Sequence, residues 1–418
     1  MHTLETKPIF INKNMRKDAT NLSIYVHVPY CVTKCRYCDF NSYGGGVGLK
    51  DEKQYVSALL REIEGWKDCL ATSETMGAPT IYWGGGTPSL LSVEAVQTIL
   101  KAIQDHWQVE PDVEITLEMN PKTADLQKMR GFKKVGVNRL SIGIQSLNDK
   151  ILSGLGRAHT AKEALECLGL AFQAGFENVS ADVMYGLPGQ TQTDFIQTLQ
   201  TLCQFPLTHI SAYSLIIEEG TPFYRSHREG KLALPDDEEI QKMENFLQQK
   251  LEACGFIAYE ISNYAKPHFF SQHNLNYWHY RPYLGLGAGA VGFLPTTFFK
   301  ESFLVQAGMK SDVYGYRVTN PKTPAHYIEK SNRFETKSVE VIDYKTSLAE
   351  YWMMGLRKRG GIETEDLERR FKVDFYAKYG KLMAQLMGQG YISCSDGKVA
   401  LTHKGRNFAN DVMQVFIG

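Results

Sequence analysis

Six times between Leu22 and Cys254, a short apolar run of strand character is followed by a segment of helical period. The pairs are Leu22–Val28 with Glu52–Leu70, Pro79–Trp83 with Ser92–His106, and Val113–Met119 with Thr123–Val135. They continue as Asn138–Gln145 with Thr160–Ala174, Val179–Met184 with Gln192–Cys203, and His209–Leu215 with Pro235–Cys254. Six βα units demand a parallel sheet wound right-handed with helices outside. They are too few for a closed eight-stranded barrel. The expected fold class is α/β, with an open, partial barrel.

The first strand runs directly into a cysteine loop, within Y-V-H-V-P-Y-C-V-T-K-C-R-Y-C-D-F-N-S-Y (Tyr25–Tyr43). Three thiolates on one loop, Cys31, Cys35 and Cys38, suit three irons of a 4Fe–4S cube, leaving the fourth iron to a small chelating molecule. A structural zinc site wants four ligands, and the next cysteine is Cys69, at the end of the first predicted helix. A disulfide would leave one thiol over. The C-x3-C-x2-C spacing, with Tyr37 before the last cysteine, resembles the radical S-adenosylmethionine (SAM) signature. That resemblance implies that SAM binds the open iron through its amino and carboxylate groups, with its adenine against Tyr37.

Composition narrows the remaining classes. Zero net charge and a pI near 7.1 imply no global attraction to nucleic acid or to an anionic membrane. No apolar run approaches the roughly 20 residues of a membrane helix, and the first residues lack a signal-peptide core. Eight cysteines in 418 residues are no disulfide framework, which fits a reducing cytoplasm.

The chain divides into a flexible leader (1–21), the partial barrel (22–258), an irregular, aromatic and glycine-rich region suited to covering a ligand (259–344), and a small C-terminal domain (345–418). The last offers helices at Ser347–Arg357, Glu363–Arg370 and Phe375–Met387, a hairpin through Ser395–Gly397 and a final helix. This order suggests a winged-helix-like α+β module. Its slight excess of Lys and Arg favours a packing or covering role over nucleic-acid reading.

In an α/β barrel, chemistry gathers at the C-terminal strand ends. Those ends carry Gly84-Gly85-Gly86-Thr87-Pro88, Glu118, Gln145 and Asp182, with Arg157 twelve residues past Gln145. Glycines let a ligand approach the backbone. The carboxylates suit ribose hydroxyls and an ammonium group, and the arginine suits a carboxylate.

Y-W-G-G-G-T-P-S, E-I-T-L-E-M-N-P, N-R-L-S-I-G-I-Q-S, D-V-M-Y-G-L-P-G-Q-T and Y-L-G-L-G-A-G-A, together with the cysteine loop, resemble the oxygen-independent coproporphyrinogen III oxidase family. The resemblance implies SAM contacts at Tyr25, Tyr37, Gly85, Gly86, Thr87, Glu118, Gln145, Arg157 and Asp182, some of them in a second SAM site of the true oxidase. Phe40 stands where the oxidase branch has a further cysteine, and the leader is short for that branch's N-terminal arm. His273-Asn274-Leu275-Asn276-Tyr277-Trp278 is similar to the H-N-x-x-Y-W motif of the haem chaperone (HemW-like) branch. The branch implies haem binding and delivery to an acceptor protein, the alternative being decarboxylation of coproporphyrinogen III. Imidazole is a common haem-iron ligand, so His273 is the expected haem contact, with His27 and His209 as alternatives.

Overall fold

The structure is a computed structural model describing residues 21–45, 51–71, 76–331 and 334–417. The expected leader therefore lies, Asn21 apart, outside the described residues. Six strands, β1 (Ser23–Val28), β2 (Gly77–Gly85), β3 (Gln108–Met119), β4 (Arg139–Gln145), β5 (Asn178–Tyr185) and β6 (His209–Ser214), run parallel in that spatial order. Helices connect them, as the alternating text predicts. Their limits are written in capping residues: Thr160 with Glu163, Thr191 with Asp194 and Asp236 with Glu239 each form a reciprocal capping box.

Side chains alternate strictly along these strands. Ile24 and Val26, Ile81 and Trp83, Leu117, Leu140 and Ile142, and Ala181 and Val183 are buried in the main core. The intervening positions are polar: Tyr25 and His27, Thr80 and Tyr82, Glu114 and Glu118, Arg139 and Ser141, Ser180 and Asp182, His209 and Ser211. Register sets Glu118 beside Ser141, and Asp182 beside Ser211. The concave face is thus lined by hydrogen-bonding groups, while the outer face supplies the apolar core.

Residues 259–344, patternless in the sequence, extend both sheet edges together with the two residues before them. β7 (Ile257–Ala258) and β8 (Asn263–Ala265) follow β6, with β8 antiparallel to it. On the other edge β9 (Tyr283–Leu286) joins β1 in parallel, and β10 (Val291–Pro295), β11 (Gly315–Thr319) and β12 (Ser338–Ile342) continue antiparallel. None exceeds five residues, too short for a period to emerge. Two seven-residue helices, Asp149–Leu155 and Pro222–Arg228, escape sequence reading for the same reason.

The C-terminal part has helices at Tyr344–Gly355, Thr364–Phe371 and Phe375–Gly388, then a hairpin of β14 (Ile392–Ser395) and β15 (Lys398–Leu401). A short β13 (Ile362–Glu363) pairs with β15, giving an antiparallel sheet of order β13-β15-β14. Asp396 and Gly397, both at positive φ, make the tight turn. Its core, centred on Trp352, includes Tyr280 and Phe293 from the sheet-bearing part.

Candidate functional site

β1 delivers the chain through Pro29 and Tyr30 into the cysteine loop, which distant segments pin. Cys31 N donates to Tyr43 O (3.0 Å), Arg36 N to Leu155 O (2.9 Å) and Phe223 N to Arg36 O (3.0 Å). Asn41 Nδ2 donates to the carbonyls of Ala288 (3.0 Å) and Lys322 (2.9 Å). Cys31 is buried, and Cys35 and Cys38 are half-buried.

Donors point at the sulfurs. Thr87 Oγ1 donates to Cys31 Sγ (3.5 Å) and Arg157 Nη1 to Cys35 Sγ (3.6 Å). Asn120, just past β3, joins the two: its Nδ2 donates to Thr87 Oγ1 (2.8 Å) and its Oδ1 accepts from Arg157 Nη2. Arg157 also donates to Gly143 O (2.7 Å). A circuit from Cys31 to Cys35 therefore crosses the ends of β2, β3 and β4.

This donor set fits an iron–sulfur cluster. Hydrogen bonds to sulfur favour thiolates and tune such clusters. Nε of Arg157 is buried without a hydrogen bond, a donor left over beside the cysteine loop. Among the described residues no three His, Cys, Asp or Glu side chains converge on one metal ion. A cube does not require that, because each cysteine binds its own iron.

The glycine run after β2 is demanded by contact. A Cβ on Gly86 would stand 2.6 Å from the Tyr30 carbonyl oxygen, and one on Gly85 would stand 2.4 Å from the His27 ring. Gly85 N donates to Glu118 Oε2 (3.2 Å), and Tyr82 OH to Glu118 Oε1 (2.8 Å). Burial, reinforced by the charge of Asp182, pushes the Glu118 carboxyl up to about 7. Asp182 accepts from Ser141 (3.0 and 3.1 Å) and Ser180 (3.3 Å). Gln145 ends β4 at φ 64°, where the register with β5 shifts. Such strain in a non-glycine residue clusters at ligand sites. Tyr37 packs against Phe223 (6.4 Å between centroids), and Tyr25 stacks on Tyr82 (6.3 Å).

The structure thus gathers the three cysteines with Tyr25, Tyr37, Gly85, Gly86, Thr87, Glu118, Gln145, Arg157 and Asp182 on the concave face and strand ends. Phe40 is exposed on the same loop. Asn120, Tyr82, Ser141 and Ser180 were not singled out from sequence. For Tyr82 and the serines the signal was polar residues alternating with apolar ones inside the strands.

His273 is buried against Tyr82 and Tyr25. Its Nδ1 is 2.7 Å from Thr80 Oγ1 and its Nε2 is 2.9 Å from Tyr277 OH. Both imidazole nitrogens are occupied, so ligating an iron would require breaking one of these bonds.

Residues 25–202 match the model of the radical SAM superfamily, and residues 342–408 that of the HemN C-terminal domain. The heme chaperone HemW of Bacillus subtilis (strain 168) is 33% identical over 402 residues, covering 95% of this chain and 99% of that protein. The heme chaperone HemW of Escherichia coli (strain K12) is also 33% identical, over 407 residues, covering 95% and 98%. Among solved structures, coproporphyrinogen III oxidase (HemN) from Escherichia coli, a radical SAM enzyme, superposes with a TM-score of 0.77 at 20% identity, covering 95% of this chain and 90% of that one. At that identity the likeness is one of fold. No helix among the described residues is long and apolar enough to cross a membrane. Joined to the full-length identity with the chaperones, these features place the chain in the heme chaperone HemW family of the radical SAM superfamily.

Proposed function

We propose that the protein binds haem and passes it to an acceptor protein, with Cys31, Cys35 and Cys38 holding a 4Fe–4S cluster whose fourth iron is left for SAM. The observation that carries the cofactor reading is the circuit from Cys31 through Thr87, Asn120 and Arg157 to Cys35. The chaperone reading is supported by relatives of that name matching nearly the whole chain. Held there, a reduced cluster would supply electron-donating chemistry to SAM.

The chain's own residues bind and orient. Arg157 and Thr87 present donors to the loop, Asn120 holds them in register, and Glu118 and Asp182 offer carboxylates to hydroxyl or ammonium groups. Gly85 and Gly86 let the turn after β2 pack against His27 and Tyr30, and with Tyr25, Tyr37 and Gln145 they complete the proposed contacts.

The test is anaerobic reconstitution followed by haemin titration. Wild type should gain a broad charge-transfer absorption and a saturable Soret band. Replacing any of the three cysteines with Ala should abolish the former. Equal iron in wild type and the triple variant would end the cluster assignment, and an unsaturable Soret signal would end the haem assignment. Multiple turnovers of coproporphyrinogen III, with SAM and a reductant, would replace delivery by oxidation.

A further inference from the structure

The helix Gln272–Trp278 is seated inside the sheet. The backbone N–H groups of Gln272 and His273 both donate to the Glu114 carboxylate on β3 (3.1 Å each). Thr80 directs its hydroxyl hydrogen to Ser23 Oγ (2.9 Å). It is therefore left to accept from Nδ1–H of His273, and Nε2 then accepts from the Tyr277 hydroxyl. One neutral tautomer satisfies the whole set. Burial and the nearby Arg139 hold the imidazole neutral, down to about 3.

One face of the ring is occupied too. His273 stacks on Tyr82 (centroids 5.0 Å apart, planes at 28°) and meets Tyr25 at 6.4 Å. From these tyrosines two lines reach the strand ends. Tyr82 OH holds Glu118 Oε1 (2.8 Å), while Gly85 N holds Oε2 (3.2 Å). Tyr25 OH meets His27 Nδ1 (2.9 Å), and His27 Nε2 meets the Asn41 carbonyl of the cysteine loop (2.9 Å).

We infer that His273 is a positioning residue for the SAM site, aligning Tyr82 and Tyr25 so that Glu118 and the cysteine loop are preset, and that it is not the iron ligand of haem. This rests on the reading that Glu118 contacts SAM. A ring with both nitrogens bonded and one face stacked on a tyrosine serves as a spacer. Side chains that preset a binding group act by having their own conformations locked.

The experiment uses full-length, cluster-reconstituted protein and three variants: His273→Phe, Tyr82→Phe and Glu118→Gln. SAM affinity is read by calorimetry, the reduced cluster by its EPR spectrum with and without SAM, and haem by Soret position and affinity for haemin. His273→Phe should weaken SAM about tenfold and diminish the SAM-induced EPR change, with the Soret band and haemin affinity of wild type. Tyr82→Phe, which removes one hydroxyl and no ring, should reproduce the SAM effect even if His273→Phe folds poorly. A shifted or lost Soret band in folded His273→Phe would overturn the inference. So would wild-type SAM affinity in both phenylalanine variants beside a weakened Glu118→Gln. Wild-type SAM affinity in Glu118→Gln would instead overturn the underlying assignment of Glu118, and the positioning role with it.

Discussion

Nζ of Lys337 lies 2.6 Å from Oε1 of Glu62, and the two side chains are 5% and 0% exposed. The same carboxylate accepts from Asn320 Nδ2 (2.7 Å), Tyr327 OH (2.6 Å) and Gly287 N (2.9 Å). Gly287 and Ala288 belong to the loop that grips the cysteine loop through Asn41.

Glu62→Ala should therefore cost about 3–5 kcal/mol, because it leaves a buried ammonium without its counter-charge and takes the acceptor from the Tyr327 hydroxyl and the Gly287 N–H. Lys337→Met should cost less, since the carboxylate keeps three neutral donors. Urea unfolding of the two variants checks the order; equal losses would refute it.

Gly143 makes room for the arginine. A Cβ there would stand 2.9 Å from Asn120 Oδ1 and 3.2 Å from Arg157 Nη2. Gly143→Ala should lower SAM affinity by about tenfold or more, in line with displacing a charge-assisted hydrogen bond, with only a small change in unfolding free energy. Calorimetry and urea unfolding on the same preparation separate the two effects.

Gln145 sits at φ 64°, a conformation costing a side-chain-bearing residue about 1–2 kcal/mol. Gln145→Gly should unfold at equal or higher denaturant than wild type while binding SAM more weakly. A variant that is both less stable and unchanged in SAM affinity would contradict the placement of this side chain at the ligand.

Burial, aided by Arg281 and Arg370 and opposed by Asp366, pulls Lys358 from 10.5 down to about 7. Its folded value lies below the unfolded one, so the unfolded chain binds more protons across that window and stability rises with pH there. Lys358→Met should accordingly stabilise most at neutral pH and below. Unfolding at about pH 6.5 and about pH 9.5 should show that gain shrinking as pH rises. A gain independent of pH would show that the charge is not the cause.

The six βα units and the strand-end residues were legible because long apolar runs and helical stretches fill enough chain to show a period. β8 to β12 were not, since strands of three to five residues paired at a sheet edge leave no such window. Asn120 was passed over because its role depends on Thr87 and Arg157 meeting it from two other strands. His273 was legible as unusual. What its imidazole touches was not, because Thr80 lies 193 residues away in sequence.

The ties from Asn41 to Ala288 and Lys322 also set a timetable for biosynthesis. The second spans 281 residues, so a ribosome adding about 5–20 residues per second needs on the order of tens of seconds after the cysteines emerge before their loop can be fastened. Throughout that interval the nascent chain carries three thiols without their final restraints. That restraint becomes available only once Lys322 has emerged, and a transcript truncated before codon 322 should yield a cysteine loop that lacks it.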